Sequence, residues 1–132
     1  MKLAVVGSRK FPNKNLIFKK LDEIHSKYTI VEIVSGGAIG VDSWAAEWSL
    51  SRLNKQAKVF EPNWQDLTHP EARIKINSRG QKYDANAGLR RNTEIVNYSE
   101  KVLAFIYNQS PGTTNTIKKA KKQDKILEII KI

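Results

Sequence analysis

Residues 29–48 constrain the fold more than any other stretch. Ile30, Val31, Ile33 and Val34 form a short β-branched run, which predicts a buried strand. Ser35, Gly36, Gly37 and Gly40 follow at once. Val41, Trp44, Ala45 and Trp48 then recur at i, i+3, i+4 and i+7, the apolar stripe of a helix. A strand that enters a helix through a glycine turn is the beginning of a βαβ unit. Glycine lets a ligand approach the backbone closely, and a helix N-terminus offers unpaired N–H groups and a positive dipole end. Two readings stand side by side: a phosphate cradle, or a tight βα turn whose glycines serve packing alone.

The rest of the chain repeats this alternation. Residues 2–6 predict a first strand, ended by Gly7-Ser8-Arg9. A helix is expected over about 14–27, with Asn13 as its N-cap and Ile17, Leu21, Ile24 and Tyr28 in helical spacing. After the tryptophan helix come a strand at 57–60, a helix at 87–97, a strand at 101–107, a helix at 116–123 and a strand at 126–132. Between 65 and 86 the pattern is lost in a polar, basic segment with Pro70, Arg73, Lys75, Arg79, Gly80 and Lys82. So long an irregular stretch is expected to be functional or mobile. The fold class expected is α/β. It is a single Rossmann-like domain over 1–132, with about five mainly parallel strands and helices on both faces. Right-handed crossovers then bring every βα turn to the carboxyl edge, where such sheets bind ligands.

Composition narrows the function classes. The chain has 23 Lys and Arg against 13 Asp and Glu, a net charge of +10. Such an excess attracts polyanions or phosphorylated small molecules, or else reflects a solvated, lysine-rich surface. The lysines at 118, 119, 121 and 122 and at 10, 14, 19 and 20 are not interleaved with aromatics. No apolar run approaches the roughly 18 residues of a membrane span, so no membrane partner is expected. The opening residues are expected to be a strand rather than a signal peptide. Cysteine is absent, which excludes thiolate metal sites and fits a cytoplasmic protein. His25 and His69 are expected to be structural, and no cofactor or metal is expected.

Several turns carry candidate ligand contacts. Arg9 places a guanidinium, suited to phosphate, beside Gly7 and Ser8. Gly112, Thr113 and Thr114 supply a second glycine-containing turn before a helix. Arg90, Arg91 and Asn92 open another helix, where cations oppose the dipole and so point to an anion. Asp42 in the first turn of its helix caps backbone N–H groups or binds a sugar. Trp44 and Trp48 serve the core or a ligand platform, and Trp64, just past a strand end, is the better candidate for stacking on a base.

Taken together, Gly7-Ser8-Arg9-x-Phe11, Ser35-Gly36-Gly37-Ala38-x-Gly40-x-Asp42, the Trp48 helix, Pro62-Asn63-Trp64, Ala87-Gly88-x-x-Arg91-Asn92 and Gly112-Thr113 resemble one family. It is the YspA-type branch of the SLOG superfamily of Rossmann-like domains. That superfamily includes the Lonely guy phosphoribohydrolases and the DNA-uptake protein DprA. The resemblance implies a nucleotide or nucleotide-derived ligand. Backbone at Gly36, Gly37, Gly112 and Thr113 would hold phosphate, Ser8, Arg9, Arg91 and Asn92 would add side-chain contacts, and Asp42 would meet the sugar. Gly7, Ser35, Gly40, Trp64, Arg90 and Thr114 complete the ligand-binding set. An enzyme of this kind would cleave or transfer at an N-glycosidic bond, with Asp42 and Arg91 as catalytic residues.

The chain departs from the Lonely guy turn Pro-Gly-Gly-x-Gly-Thr-x-Glu. Asn115 stands where the glutamate would be, and an amide cannot act as a general base. This favours a non-catalytic nucleotide sensor over an enzyme. A third reading is a DprA-like binder of single-stranded nucleic acid. Residues 68–82 are longer and more basic than the branch pattern and would extend the site towards a polyphosphate or nucleic acid. The two-tryptophan helix is a candidate homo-oligomer interface.

Overall fold

Alternation along the central strands sorts the helices into two layers. In β1 (Lys2–Gly7), Leu3 and Val5 point to one side and Ala4 and Val6 to the other; in β6 (Lys101–Ile106), Leu103 and Phe105 oppose Val102 and Ala104. The first side packs on α1 (Lys14–Tyr28) through Ile17, Leu21 and Ile24, and on α2 (Val41–Leu53) through Val41, Ala45 and Trp48. The second packs on α3 (Ala87–Tyr98) through Ile95 and Val96, and on α4 (Pro111–Lys122) through Ile117 and Ala120. Each fully buried large apolar side chain contributes about 1.5–3 kcal/mol. The computed structural model describes all of residues 1–132.

The sheet is completed by β2 (Glu32–Ser35), β3 (Lys58–Val59) and β7 (Ile126–Lys131), in the order β3-β2-β1-β6-β7 with every neighbour parallel. The chain builds outward from β1 through β2 and β3, then returns to the other side of β1 through β6 and β7. The reversal falls between β1 and β6. Their carboxyl ends diverge into a crevice there, the usual ligand position in such sheets.

The expected α/β class and parallel sheet are therefore observed, with four corrections of detail. First, α4 begins at Pro111, not at 116. Proline at the first helical position has its φ preset and lacks only an N–H that would be unpaired anyway, so the Gly112-Thr113 turn is the first turn of the helix. Second, the irregular segment contains an antiparallel hairpin of β4 (Ile74–Ile76) and β5 (Lys82–Asp84). Third, Trp48 is fully buried and donates Nε1–H to Asp22 Oδ1 at 2.9 Å, while Trp44 packs against the same core. The Trp48 ring therefore fills the interior and offers no platform to a ligand, while Trp44 is partly buried. Fourth, β3 is reduced to two exposed residues.

Other local expectations hold. Asn13 Oδ1 accepts from Leu16 N at 3.0 Å and caps α1. His25 Nδ1 accepts from Ile30 N and His69 Nδ1 from Glu71 N, so both imidazoles brace backbone. No helix is long and apolar enough to cross a membrane.

Candidate functional site

A cleft of about 560 Å³ opens at the β1/β6 reversal. Its walls come from the ends of β1 and β6, the turn after β2, one face of α3 and the first turn of α4. Ser8 fastens the floor: its hydroxyl donates to Tyr107 O at 3.2 Å and accepts from Tyr107 N at 3.0 Å. Gly7 and Ser8 thus form the base of the cleft, with the Ser8 hydroxyl spent on main chain.

One wall is closed by the protein itself. Arg91 reaches across from α3 and donates Nη1–H to Gly36 O at 2.8 Å, while its Nε–H goes to Asn92 Oδ1 at 3.1 Å. Gly36 is bare because a Cβ there would lie 2.6 Å from Arg91 Nη1 and 3.1 Å from Asp42 Oδ2. Asp42 Oδ2 accepts from Ala38 N at 3.1 Å, so the carboxylate ties the turn to the helix. Ser35 Oγ accepts from Gly37 N at 3.1 Å. Gly40 has φ +79°, and a Cβ on it would lie 2.3 Å from Arg9 O. Only glycine fits there.

The opposite wall is open. Ser110 Oγ bonds Thr113 Oγ1 at 2.8 Å, and the first backbone bond of α4 runs from Thr114 N to Ser110 O at 2.9 Å. The N–H groups of Gly112 and Thr113 have no acceptor in the protein, and they lie at the positive end of a twelve-residue helix. A Cβ on Gly112 would meet nothing within 4 Å. Arg9 and Lys10 are exposed at the rim.

The electrostatics follow from burial. Asp42 is only 8% exposed. Desolvation pushes its carboxyl up to about 6, against the pull of the Ala38 N–H and the Arg91 guanidinium. Burial likewise lowers the Arg91 guanidinium from its usual value, with Asp42 opposing the shift. No group of three or more His, Cys, Asp or Glu side chains is placed to hold a metal.

Residues 1–66 match the model of the YspA, cpYpsA-related SLOG family. The chain belongs to that family. The matched half carries the Gly7-Ser8-Arg9 end of β1 and the 35–42 turn; Arg91 and the α4 turn lie beyond it. Two solved structures share the fold seen here. DNA processing protein A from Helicobacter pylori, described by its single-stranded DNA binding mode, aligns over 99% of this chain and 64% of its own, with 22% identity and a TM-score of 0.65. DNA processing protein A (DprA) from Streptococcus pneumoniae aligns over 98% of this chain and 49% of its own, with 21% identity and a TM-score of 0.63. At these identities the likeness is one of fold, and this chain spans about two thirds and one half of those proteins. No curated protein sequence matches the chain.

Against this SLOG frame the expected site residues divide. Gly7, Ser8, Arg9, Gly36, Asp42, Arg91, Asn92, Gly112 and Thr113 line the cleft together. Ser35, Gly37 and Gly40 shape the turn behind it without lining it, and Thr114 lines a recess on the far side of the 108–111 loop. Arg90 points elsewhere: it pairs with the fully buried Asp84. Burial disfavours the Asp84 charge, but Arg90 and the N–H groups of Arg73 and Asn86 outweigh it and hold the carboxyl at about 2. Trp64 rests on Gly88 beside the hairpin, outside the cleft. Asn115 accepts from Asn92 Nδ2 at 3.1 Å, an amide pair where the Lonely guy pattern has a carboxylate. Residues 107–110 form a wall that the glycine motifs did not reveal. Asn108 takes φ +58°, a conformation asparagine tolerates better than most residues, and a lone Asn after a strand is the only signal of it.

Proposed function

We propose that this protein binds single-stranded nucleic acid, with one backbone phosphate seated in the β1/β6 cleft. The observation that carries the reading is the convergence of the unpaired Gly112 and Thr113 N–H groups with the Arg9 and Arg91 side chains around one open space. A helix N-terminus with guanidiniums beside it is an anion site. The net charge of +10 favours a polyanion over a singly phosphorylated metabolite. The fold shared with the single-stranded DNA binder of Helicobacter pylori supports the same class. The amide pair Asn92–Asn115 supports binding over cleavage.

The test is fluorescence anisotropy with a short labelled single-stranded oligonucleotide across a salt series. Binding should weaken on a log–log plot by about 0.7 for each phosphate neutralised, and Arg91→Ala should weaken it further. An oligonucleotide that fails to bind, while AMP raises the melting temperature, would overturn the reading.

A second reading, N-glycosidic cleavage or sensing of a free nucleotide, has one observation in its favour. Asp42 faces the cleft with its carboxyl raised to about 6 by burial, a value suited to a general acid. Base released from AMP in the presence of the wild type, and not of Asp42→Asn, would support catalysis. Nucleotide that binds and is recovered intact would support a sensor.

A further inference from the structure

The segment between Trp64 and α3 folds into a surface that the cleft does not use. Lys75 of β4 stands opposite Tyr83 of β5, and paired residues in an antiparallel ladder share a face. Arg73, two residues before Lys75, falls on that face by alternation. The Tyr83 ring meets the Trp64 indole edge to face, with centroids 6.5 Å apart. One surface therefore carries two aromatic rings and two cations. Neither Arg73 nor Lys75 has an ion-pair partner. Between Ala72 and Tyr83 the sequence has Arg73, Lys75, Arg79 and Lys82 and no acid. Of the acids just before it, Asp66 is engaged by the Thr68 hydroxyl and N–H, at 2.6 and 3.0 Å; Glu71 is exposed.

The surface is held in place from below. Asp84 accepts from Arg73 N and Asn86 N, both at 2.9 Å, and pairs with Arg90. Asn77 Oδ1 closes the hairpin loop by accepting from Arg79 N at 2.9 Å and Gln81 N at 3.0 Å. Trp64 is braced on α3: a Cβ on Gly88 would lie 3.2 Å from its ring. Yet the indole is 43% exposed, in contrast to the fully buried Trp48. Gly88 beneath it and Arg91 in the cleft are three residues apart, on one face of α3 and about 4.5 Å apart along its axis.

We propose that Trp64 and Tyr83, with Arg73 and Lys75, form a base-stacking subsite for single-stranded nucleic acid, next to the nucleotide whose phosphate occupies the cleft. The proposal rests on the nucleic-acid reading of that cleft. Every base has a π-face, so an exposed indole stacks on any sequence, and cations beside it follow the phosphates. A duplex buries those faces in its own stack and is a poor ligand for such a surface.

The experiment uses the full chain, a short deoxythymidine oligonucleotide, the corresponding duplex and AMP. Oligonucleotide binding should quench tryptophan emission in the wild type. Trp64→Phe should abolish the quench while keeping an aromatic ring on Gly88. Trp64→Ala should weaken oligonucleotide binding about tenfold or more. Arg73→Ala with Lys75→Ala should flatten the log–log salt slope by about 1.4. Cooperative thermal unfolding of all three variants checks that they fold, and any shift that AMP produces through the cleft should be the same in each of them as in the wild type. If Arg91→Ala weakens oligonucleotide binding while Trp64→Ala leaves affinity and quench unchanged, the subsite is overturned and the cleft reading stands. Equal affinity for the duplex also overturns it. If the wild type binds no oligonucleotide at all, the underlying reading fails and the subsite with it.

Discussion

Gly36 and Gly112 face one cleft from opposite walls, and their surroundings are opposite. A Cβ on Gly36 would strike the Arg91 guanidinium at 2.6 Å, whereas a Cβ on Gly112 would enter empty space. Around Gly36 the hydrogen bonds are internal: Arg91 to Gly36 O, Ala38 N to Asp42, Gly37 N to Ser35. Around Gly112 two N–H groups are unspent. A glycine turn in a sequence therefore has two meanings. In one wall it makes room for the protein's own side chain, and in the other it leaves open space. Under the proposed function the 35–42 turn acts indirectly, by positioning Arg91, while the α4 turn presents its N–H groups directly.

The comparison is open to attack at five positions. The largest effect is expected at Gly40, behind the closed wall. Gly40→Ala imposes a left-handed backbone on alanine and overlaps Arg9 O, and it should lower unfolding stability by about 3 kcal/mol or more. An unchanged denaturant midpoint would show that the wall is not rigid. Next is the titration of Asp42. Its folded value of about 6 lies above the ordinary carboxylate value, so the buried group is neutral, and costs nothing, at low pH. As pH rises from 4 through 6 the wild type must carry a buried charge and loses stability. Asp42→Asn does not titrate, so its stability relative to wild type should rise by up to about 3 kcal/mol between pH 4 and pH 7. A difference that stays constant with pH would contradict the burial argument.

Smaller effects test the ligand side. Arg91→Ala removes a charged donor and should cost about 1.5–3 kcal/mol in oligonucleotide binding. Gly36→Ala should weaken binding in the same direction, because it displaces the same guanidinium. Retained affinity in Gly36→Ala with loss in Arg91→Ala would separate the two. The smallest change in stability is expected at Gly112→Ala. The added methyl has free space and favours the helix by up to about 1 kcal/mol, yet it enters the volume assigned to the ligand. Higher stability with weaker binding is the expected pair of results; unchanged affinity would move the ligand away from α4.

How much of this was legible in the sequence depended on the kind of signal. The central strands and α1 to α3 were readable because Leu3, Val5, Ile33, Ile17 and Leu21 obey simple periods. The carboxyl-edge location followed from strand–helix alternation alone. The start of α4 was missed because apolar spacing begins only near Ile117, while the helix is set by Pro111. The hairpin was missed because its strands are three residues long and exposed on most positions. Nothing in the local sequence marks Asp84 as buried. Its burial depends on Arg90 and on the N–H groups of Arg73 and Asn86, partners that come together only in three dimensions. For the same reason Arg90 and Arg91 could not be told apart: adjacent on a helix, one secures the hairpin and the other closes the cleft.

The most direct measurement is an amide NMR titration of the full chain with a short single-stranded oligonucleotide. The Gly112 and Thr113 resonances should shift most, with Arg9 following, and those of Gly37 and Gly40 should move little. Saturable binding that leaves Gly112 and Thr113 unmoved would contradict the assignment of the phosphate to this cleft.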